Sequence, residues 1–177
     1  KLPLRQLLIY GGLLVTLSMG IRHGFGLFNL PITSANGWGR ETFALTIALQ
    51  NLIWGAFQPI TGALADRFGA LKIMIAGGTL YALGLTGMAL STDALNFSLA
   101  GGLLIGLAQT ATTYSVVYGI LGRNVSAEKR VWAMGITAAA GSFGQFLMIP
   151  LEQGLLSSFG ANDALLLLAL MASLMIP

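Results

Sequence analysis

The stretch that decides the fold is Gly62-Ala63-Leu64-Ala65-Asp66-Arg67-Phe68-Gly69-Ala70-Leu71-Lys72. It is a short charged turn between two long apolar stretches. Each flanking stretch is long enough to cross a bilayer as a helix, where every backbone polar group must be satisfied within the helix. The sequence therefore predicts a hairpin of membrane helices, with the charged turn at the water boundary.

The composition supports a membrane protein. The chain is 55% hydrophobic and 8% charged, whereas about a quarter of the residues of an ordinary soluble domain are charged. It has no cysteine and one histidine, so we expect no metal site and no cofactor. The net charge of +3 comes from basic residues scattered over the loops, which does not predict a nucleic-acid partner. The expected surroundings are a lipid bilayer.

Six apolar stretches divide the chain. The connections between them are short and carry most of the charge. The last stretch is shorter than the about 20 residues that a span needs, and the chain begins with Lys1. We therefore expect an incomplete sixth span and a fragment of a longer protein. The predicted spans are about 7–32, 42–65, 73–90, 97–121, 131–153 and 164–177.

The basic residues fall on alternate connections, which predicts the orientation. All but Arg22, which lies within the first span, and Arg40 lie at the amino terminus or in the second and fourth connections. By the positive-inside rule these segments are cytoplasmic. We expect a multi-pass protein of a plasma or bacterial inner membrane with a cytoplasmic amino terminus. The basic residues on this side are Lys1, Arg5, Arg67, Lys72, Arg123, Lys129 and Arg130.

An internal repeat relates the two halves of the chain. A shift of 91 residues places Pro59 on Pro150 and the Phe68-Gly69-Ala70 run on Phe159-Gly160-Ala161. The shift covers three predicted helices, an odd number, so the two copies have opposite orientations in the membrane. Inverted three-helix repeats are typical of secondary transporters. Glycines within the spans, such as the pair Gly141 and Gly144, predict close helix packing.

The first span contains two candidate substrate-binding residues, Arg22 and His23. A charged residue near the centre of a span is costly, so Arg22 should face a wet cavity or a partner. Helical spacing places Ser18, Phe25 and Asn29 on the same stripe as Arg22, which predicts a cavity wall. His23 is equally compatible with a packing role and with a ligand or proton carrier.

Polar residues also follow one face of the second and fourth spans. They suit a cavity for a small polar solute, and they can equally tie helices together. Glu152 near the outer end of the fifth span can bind a proton, but we expect a solvated carboxylate there. The remaining candidates for substrate binding are Gln50, Trp54, Gln109, Thr113 and Tyr114, accompanied by Asn51, Gln58, Thr61, Thr112 and Tyr118.

The charged turn has its own predicted mechanics. Asp66 can pair with a cation, and Gly69 permits a turn too tight for a side chain. Arg123, at the inner end of the fourth span, is the nearest candidate partner for Asp66. Ser126 is the expected N-cap of the fifth span. Such charged contacts can form in one conformation and break in another.

The pattern G-x-L-A-D-R-x-G of residues 62–69 resembles the signature between the second and third helices of major facilitator superfamily transporters. The resemblance implies an all-α membrane fold in which this chain is the amino-terminal six-helix half of twelve helices and the carboxy-terminal half is absent. It also implies that Asp66 and Arg67 help to latch the two halves on the inner side. The motif positions Gly62, Gly69 and Lys72, together with Arg123, complete the predicted latch.

Two further stretches resemble the monocarboxylate and oxalate-formate exchanger branch of that superfamily. They are residues 22–28 and 128–145. The resemblance implies a secondary transporter that moves a small organic anion, preferably a carboxylate, by alternating access, with Arg22 as the fixed positive charge and His23 as a proton site. The alternatives are proton-coupled efflux of drugs or amphiphiles, and a membrane protein of another class, such as a channel. We expect no enzyme, because the spans lack clustered catalytic groups.

Overall fold

The computed structural model describes residues 3–176, and the chain is helical along almost all of this length. Five helical segments are long and apolar enough to cross a membrane, and one shorter apolar helix follows. In four of the six segments, the helix extends beyond the predicted apolar stretch at both ends, because the flanking polar residues continue the backbone hydrogen bonding; the exceptions are the third and sixth. The helices are α1 (Leu4–Asn36), α2 (Arg40–Phe68), α3 (Ala70–Leu90), α4 (Ala94–Ser98), α5 (Ile105–Thr112), α6 (Tyr114–Asn124), α7 (Ala127–Phe159) and α8 (Ala161–Ser173), with a π-helical segment Leu99–Leu104 between α4 and α5.

The fourth span is interrupted, whereas the sequence predicted one continuous helix. The π-helical segment lies near the start of this span, directly after α4, and Thr113 separates α5 from α6 with φ −111° and ψ −162°. Side-chain hydroxyls satisfy the carbonyls that the second interruption frees: Thr113 Oγ1 donates to Gln109 O at 2.6 Å, and Ser115 Oγ donates to Thr110 O at 2.9 Å. A break buried within protein is tolerated in a membrane when its polar groups are paired in this way.

Helices α1 and α7 pack against each other most extensively. Positions four residues apart on one helix face positions four residues apart on the other, in the same order, so the two helices run parallel. A glycine in each facing pair allows the backbones to approach closely. The facing pairs are Gly12 with Ala140, Thr16 with Gly144, Gly20 with Met148 and Gly24 with Glu152.

The helix contacts have the symmetry that the repeat predicts. The fourth span packs along α2 as α7 packs along α1, and α3 packs on α8. When the spans are shifted by three, the α1–α7 interface becomes the interface of the fourth span with α2. The α3–α8 interface is unchanged by the same shift. Equivalent prolines, Pro59 and Pro150, lie inside α2 and α7. The two inverted three-helix repeats are thus a property of the fold.

The glycines that end α2 and α7 are also equivalent. Gly69 has φ 96°, and its N–H donates to Ala65 O at 3.0 Å; Gly160 has φ 82°, and its N–H donates to Leu156 O at 3.0 Å. Each is the one residue between two consecutive helices. A positive φ strains residues with a Cβ, so the tight turn predicted at Gly69 requires glycine there and at its repeat partner.

Large apolar side chains on the outside of the bundle fit lipid rather than water. Leu83 on α3 is 55% exposed, Leu95 on α4 is 68% exposed and Leu170 on α8 is 67% exposed. Contiguous apolar surface of this kind is a liability in water, whereas lipid tails are as apolar as these side chains. The chain is therefore an all-α membrane bundle.

Candidate functional site

Arg22 lies on α1 and is held by two side chains of α2. Its Nη2 donates to Asn51 Oδ1, and the guanidinium carbon lies 4.8 Å from the centre of the Trp54 ring. A guanidinium over an indole face is a favourable cation–π arrangement. The Nε of Arg22 is buried without a hydrogen-bond partner among residues 3–176. The side chain as a whole is only half-buried, so it combines a fixed position with partial access from outside the bundle.

Trp54 connects Arg22 to the interruption of the fourth span. Its Nε1 donates to Thr113 Oγ1 at 3.1 Å, at the residue that separates α5 from α6. Three of the predicted substrate-binding residues, on three different spans, therefore come together. We call Arg22, Asn51, Trp54 and Thr113 the Arg22 cluster.

Gln50 and Gln109 are fully buried beside this cluster. Gln109 Nε2 donates to Gln50 Oε1 at 3.3 Å, and Gln50 Nε2 donates to Gly101 O, in the π-helical segment, at 2.8 Å. The pair thus ties α2 to the fourth span and satisfies a carbonyl of its irregular backbone. The two amides therefore tie helices together, which is one of the two roles that the sequence predicts for such residues. Gln109 Oε1 has no hydrogen-bond partner among residues 3–176.

The other predicted binding residues make no hydrogen bond to Arg22. His23 is exposed, and its Nδ1 lies 2.8 Å from Met19 O of the same helix. Asn29 lies farther along α1, with a buried Oδ1 that has no partner among the described residues. Tyr114 packs against Tyr118, with ring centres 5.4 Å apart.

The predicted polar stripe of α1 is only partly a cavity wall. Ser18 is fully buried and its Oγ lies 2.8 Å from Thr112 Oγ1, while Phe25 is 1% exposed within the core. Helical spacing places these residues beside Arg22 in projection, but the neighbouring helices cover them. Arg22 and Asn29 are the partly exposed members of the stripe.

The end of the bundle where α2 turns into α3 contains the predicted charged contact. Arg123 Nη1 forms an ion pair with Asp66 Oδ1, and the side chains are 50% and 62% exposed. Arg67 instead lies over the Phe68 ring at 5.3 Å, and Lys72 is exposed. A side chain at Gly62 would meet no atom within 4 Å, so contacts within the described residues do not explain this glycine.

A cavity of about 890 Å³ lies at the end of the bundle that contains the Asp66–Arg123 pair, away from the Arg22 cluster. Its walls come from α1, α2, α3, α6 and the residues after α8. Asp66, Gly69 and Arg123 line it together with apolar residues such as Leu14 and Met74. None of the predicted substrate-binding residues lines this cavity. The Arg22 cluster instead lies on a face that this chain leaves partly open.

Glu152 corrects one expectation. It is 0% exposed, and neither carboxyl oxygen has a hydrogen-bond partner among residues 3–176. The sequence predicted a solvated carboxylate because Glu152 is near the end of its span. Helix α7 extends to Phe159, so the carboxyl lies two turns inside the helix and is covered by α1 at Gly24.

Two residues of the site were not among the predicted binding residues. Asn51 was noted only as part of the polar face of α2; its spacing of three from Trp54 places both on one side of the helix, which was the available signal. Tyr81 on α3 is fully buried and donates to Ser18 O at 2.9 Å. No local pattern distinguishes this tyrosine from a core aromatic.

Ser126 is at the N-cap position of α7, but its side chain makes no capping hydrogen bond.

Several curated proteins are similar in sequence to this chain. Monocarboxylate transporter 11 of Homo sapiens is 32% identical over 152 residues, which is 86% of this chain and 32% of the relative. The oxalate:formate antiporter of Oxalobacter formigenes is 26% identical over 96% of this chain and 40% of the relative. The multidrug resistance protein MdtH of Photorhabdus laumondii is 29% identical over 60% of this chain and 28% of the relative.

This chain thus spans about a third of the length of these curated relatives. The family model of the Major Facilitator Superfamily matches residues 8–177. That range includes the whole Arg22 cluster, the inner ion pair and both copies of the repeat. The chain belongs to the major facilitator superfamily.

Proposed function

We propose that this chain is the amino-terminal half of a secondary transporter that moves a small organic anion, a carboxylate, by alternating access. The observation that carries the proposal is the state of Arg22. It is a membrane-embedded cation, fixed by Asn51 and Trp54, with no acidic partner among the described residues. The one ion pair within residues 3–176 joins Arg123 to Asp66 at the inner end.

A cation in this setting needs an anion. A charge inside a span is stabilised by a counter-charge, a polar partner or water. Asn51 supplies one acceptor, and the Trp54 ring supplies a weaker attraction to one face. The buried Nε remains without an acceptor. A carboxylate matches the planar, multidentate donor set of a guanidinium better than any neutral solute does.

The names of the relatives agree with this ligand class. The names of two of the three relatives described above refer to monocarboxylate, oxalate or formate. We transfer only the shared chemistry, a small carboxylate, to this chain.

The second half of the site would come from a further bundle. The spans of α2 and α7 are the least buried of the five long ones, and α2 carries Asn51 and Trp54 of the Arg22 cluster. A second six-helix bundle seated on these helices would enclose the substrate between the two halves. Rocking of the bundles would then open the site to each side of the membrane in turn.

The test of this function is transport by the intact protein in sealed liposomes. Labelled formate, acetate and oxalate are supplied with and without a pH gradient, and protein-free liposomes are the control. We expect saturable uptake or exchange of at least one of these anions, with the pH gradient stimulating net uptake. Absence of uptake and exchange for all three would contradict the carboxylate assignment.

Efflux of an amphipathic drug is the second candidate, favoured by the match to the multidrug resistance protein. A binding site for cationic drugs would use an acid where this chain places Arg22. The two candidates separate in the same liposomes: competition of labelled formate by oxalate supports an anion site, whereas extrusion of a cationic dye without any carboxylate transport supports efflux.

The proposed orientation predicts which loops water-soluble reagents reach from outside. Thr92, after α3, and Asn124, at the end of α6, are both exposed, and the chain has no cysteine of its own. We expect Thr92→Cys to react with an impermeant thiol reagent in intact cells and Asn124→Cys to react only after the membrane is opened. The reverse labelling would overturn the cytoplasmic position of the amino terminus and of the Asp66–Arg123 pair.

The latch proposal predicts a small effect on stability and a larger one on access. Because the Asp66–Arg123 pair is exposed, Asp66→Asn should change the free energy of unfolding by about 1 kcal/mol or less. If the pair holds the inner side in one conformation, Asp66→Asn should also change the rate at which Asn124→Cys reacts from the cytoplasmic side. Glu128→Gln, an exposed acid outside the pair, is the matched control. Equal labelling rates in all variants would contradict the latch.

A further inference from the structure

Glu152 is a membrane-embedded acid with no role in the Arg22 cluster. It lies on α7, two turns before the helix ends at Phe159. Its side chain is 0% exposed, and both carboxyl oxygens lack hydrogen-bond partners among residues 3–176. An ionisable group inside a span is expensive to maintain and usually belongs to a functional site. A neutral side chain of similar size would fill the same space, so packing alone does not explain the acid.

The pocket that holds this carboxyl is made by a glycine of α1. A Cβ on Gly24 would collide with the carboxyl group of Glu152, including Oε1 at 2.7 Å. The carboxyl therefore fills the space that Gly24 leaves open, and the α1 backbone excludes water from it. The contact belongs to the series that packs α1 along α7, so it depends on how closely these two helices approach.

Among residues 3–176, no charged group forms an ion pair with Glu152. On α1, Arg22 bonds to Asn51 and His23 is exposed, with Nδ1 at Met19 O. On α3, the buried Tyr81 lies within electrostatic range of both Glu152 and Arg22, but its hydroxyl donates to Ser18 O. On α6, Tyr114 lies at Gly141 and Tyr118 near Met134. On α8, Asp163 in the first turn is exposed.

The packing of α1 on α7 and the protonation of Glu152 are therefore linked. A carboxylate sealed from water without a cation is far less favourable than a neutral carboxylic acid in the same place. Separation of α1 and α7 at Gly24 would admit water and favour the carboxylate. Closure would favour the acid, so the closed arrangement retains one proton.

We propose that Glu152 is the proton-binding site of this transporter, occluded when α1 closes over it at Gly24. The proposal rests on the transport function proposed above and adds the coupling site. The carboxylate takes one proton from water on one side of the membrane and returns it to water on the other. Movement of one proton with one monocarboxylate transfers no net charge. His23 is exposed on the surface of α1, so in this arrangement it is not the coupling group.

The test uses the intact protein in liposomes and two measurements. Infrared difference spectra between acidic and alkaline buffer detect the C=O stretch of a protonated carboxylic acid, independently of any substrate. We expect a band from a buried carboxylic acid in the parent protein, its loss in Glu152→Gln, and its retention in Glu128→Gln, which removes an exposed acid from the same helix. Glu152→Asp should restore a carboxylic acid band at a shifted frequency.

Transport of labelled formate is the second measurement. In Glu152→Gln we expect loss of the stimulation by a pH gradient, with exchange of formate for formate retained. His23→Gln should keep the stimulation. Retention of the infrared band in Glu152→Gln, or an undiminished pH response in that variant, would overturn the proposal. Loss of the pH response in His23→Gln alone would assign the proton to His23 and overturn it as well.

The two proposals fail in different ways. If no variant, including the parent, moves any of the three carboxylates, the substrate assignment fails. The infrared comparison of Glu152→Gln with Glu128→Gln still decides whether Glu152 binds a proton, because it requires no substrate.

Discussion

Arg22→Gln is expected to weaken carboxylate binding by about 10- to 150-fold, because a hydrogen bond to a charged group contributes about 1.5–3 kcal/mol. Glutamine keeps a polar side chain of moderate length for Asn51 but removes the positive charge. Membrane insertion should become easier, since a charge at a helix centre is the costliest residue to insert. The measurement is the Kd for labelled formate or oxalate with purified protein.

Two variants separate the charge from the shape of the side chain. Arg22→Lys should recover part of the affinity, because an ammonium keeps the charge but lacks the planar fork that matches a carboxylate. Arg40→Gln makes the same chemical change at an exposed position at the start of α2 and should leave the Kd unchanged. Undiminished binding in a folded Arg22→Gln protein would identify the arginine as structural.

Gly144→Ala is expected to give the largest loss of stability. The new Cβ would lie 2.8 Å from Cα of Thr16 and closer still to its carbonyl oxygen. These are backbone atoms, so no side-chain rotation relieves the clash, and α1 and α7 must separate. Overpacking of this kind typically costs about 1–3 kcal/mol and sometimes more. The melting temperature of the purified protein in detergent should fall, and the Thr16 Oγ1 bond to Ala140 O, now 2.9 Å, should weaken.

A matched control lies on the same helix. A Cβ on Gly154 would meet no atom within 4 Å. Gly154→Ala should therefore be neutral or stabilising, by up to about 1 kcal/mol, because alanine is the better helix former. A similar melting temperature for both alanine variants would show that the α1–α7 interface is looser than its geometry indicates.

Much of the fold could be predicted from local sequence. Long apolar runs must form helices in lipid because their backbone groups have no other partners. The turn at Gly69 and its repeat partner Gly160 followed from the motif and the 91-residue shift, and both glycines have the positive φ that only glycine adopts easily. The glycines of the fifth span were correctly predicted to pack closely. The break at Thr113 was not predicted, because threonine is compatible with a helix until neighbouring hydroxyls stabilise the alternative.

The candidate site was predictable as a set of residues but not as an arrangement. Arg22 is conspicuous in any sequence because a charge within a span is rare. Its partner Asn51 and the link from Trp54 to Thr113 join three spans that are distant along the chain. Likewise, Gln50 and Gln109 belong to the same predicted polar faces as Trp54 and Thr113. In the structure, however, the two glutamines are buried against each other.

The sequence by itself determined the membrane class, the order of the apolar helices, the inverted repeat and the presence of a cation in the first of them, since each depends on hydropathy, spacing or a single costly residue. Only the tertiary structure decided which polar side chains meet and which are sealed from water. Glu152 shows the reason. Its sequence position predicts contact with water, but its burial depends on Gly24, a residue on another helix more than a hundred positions away, and no local pattern encodes that approach.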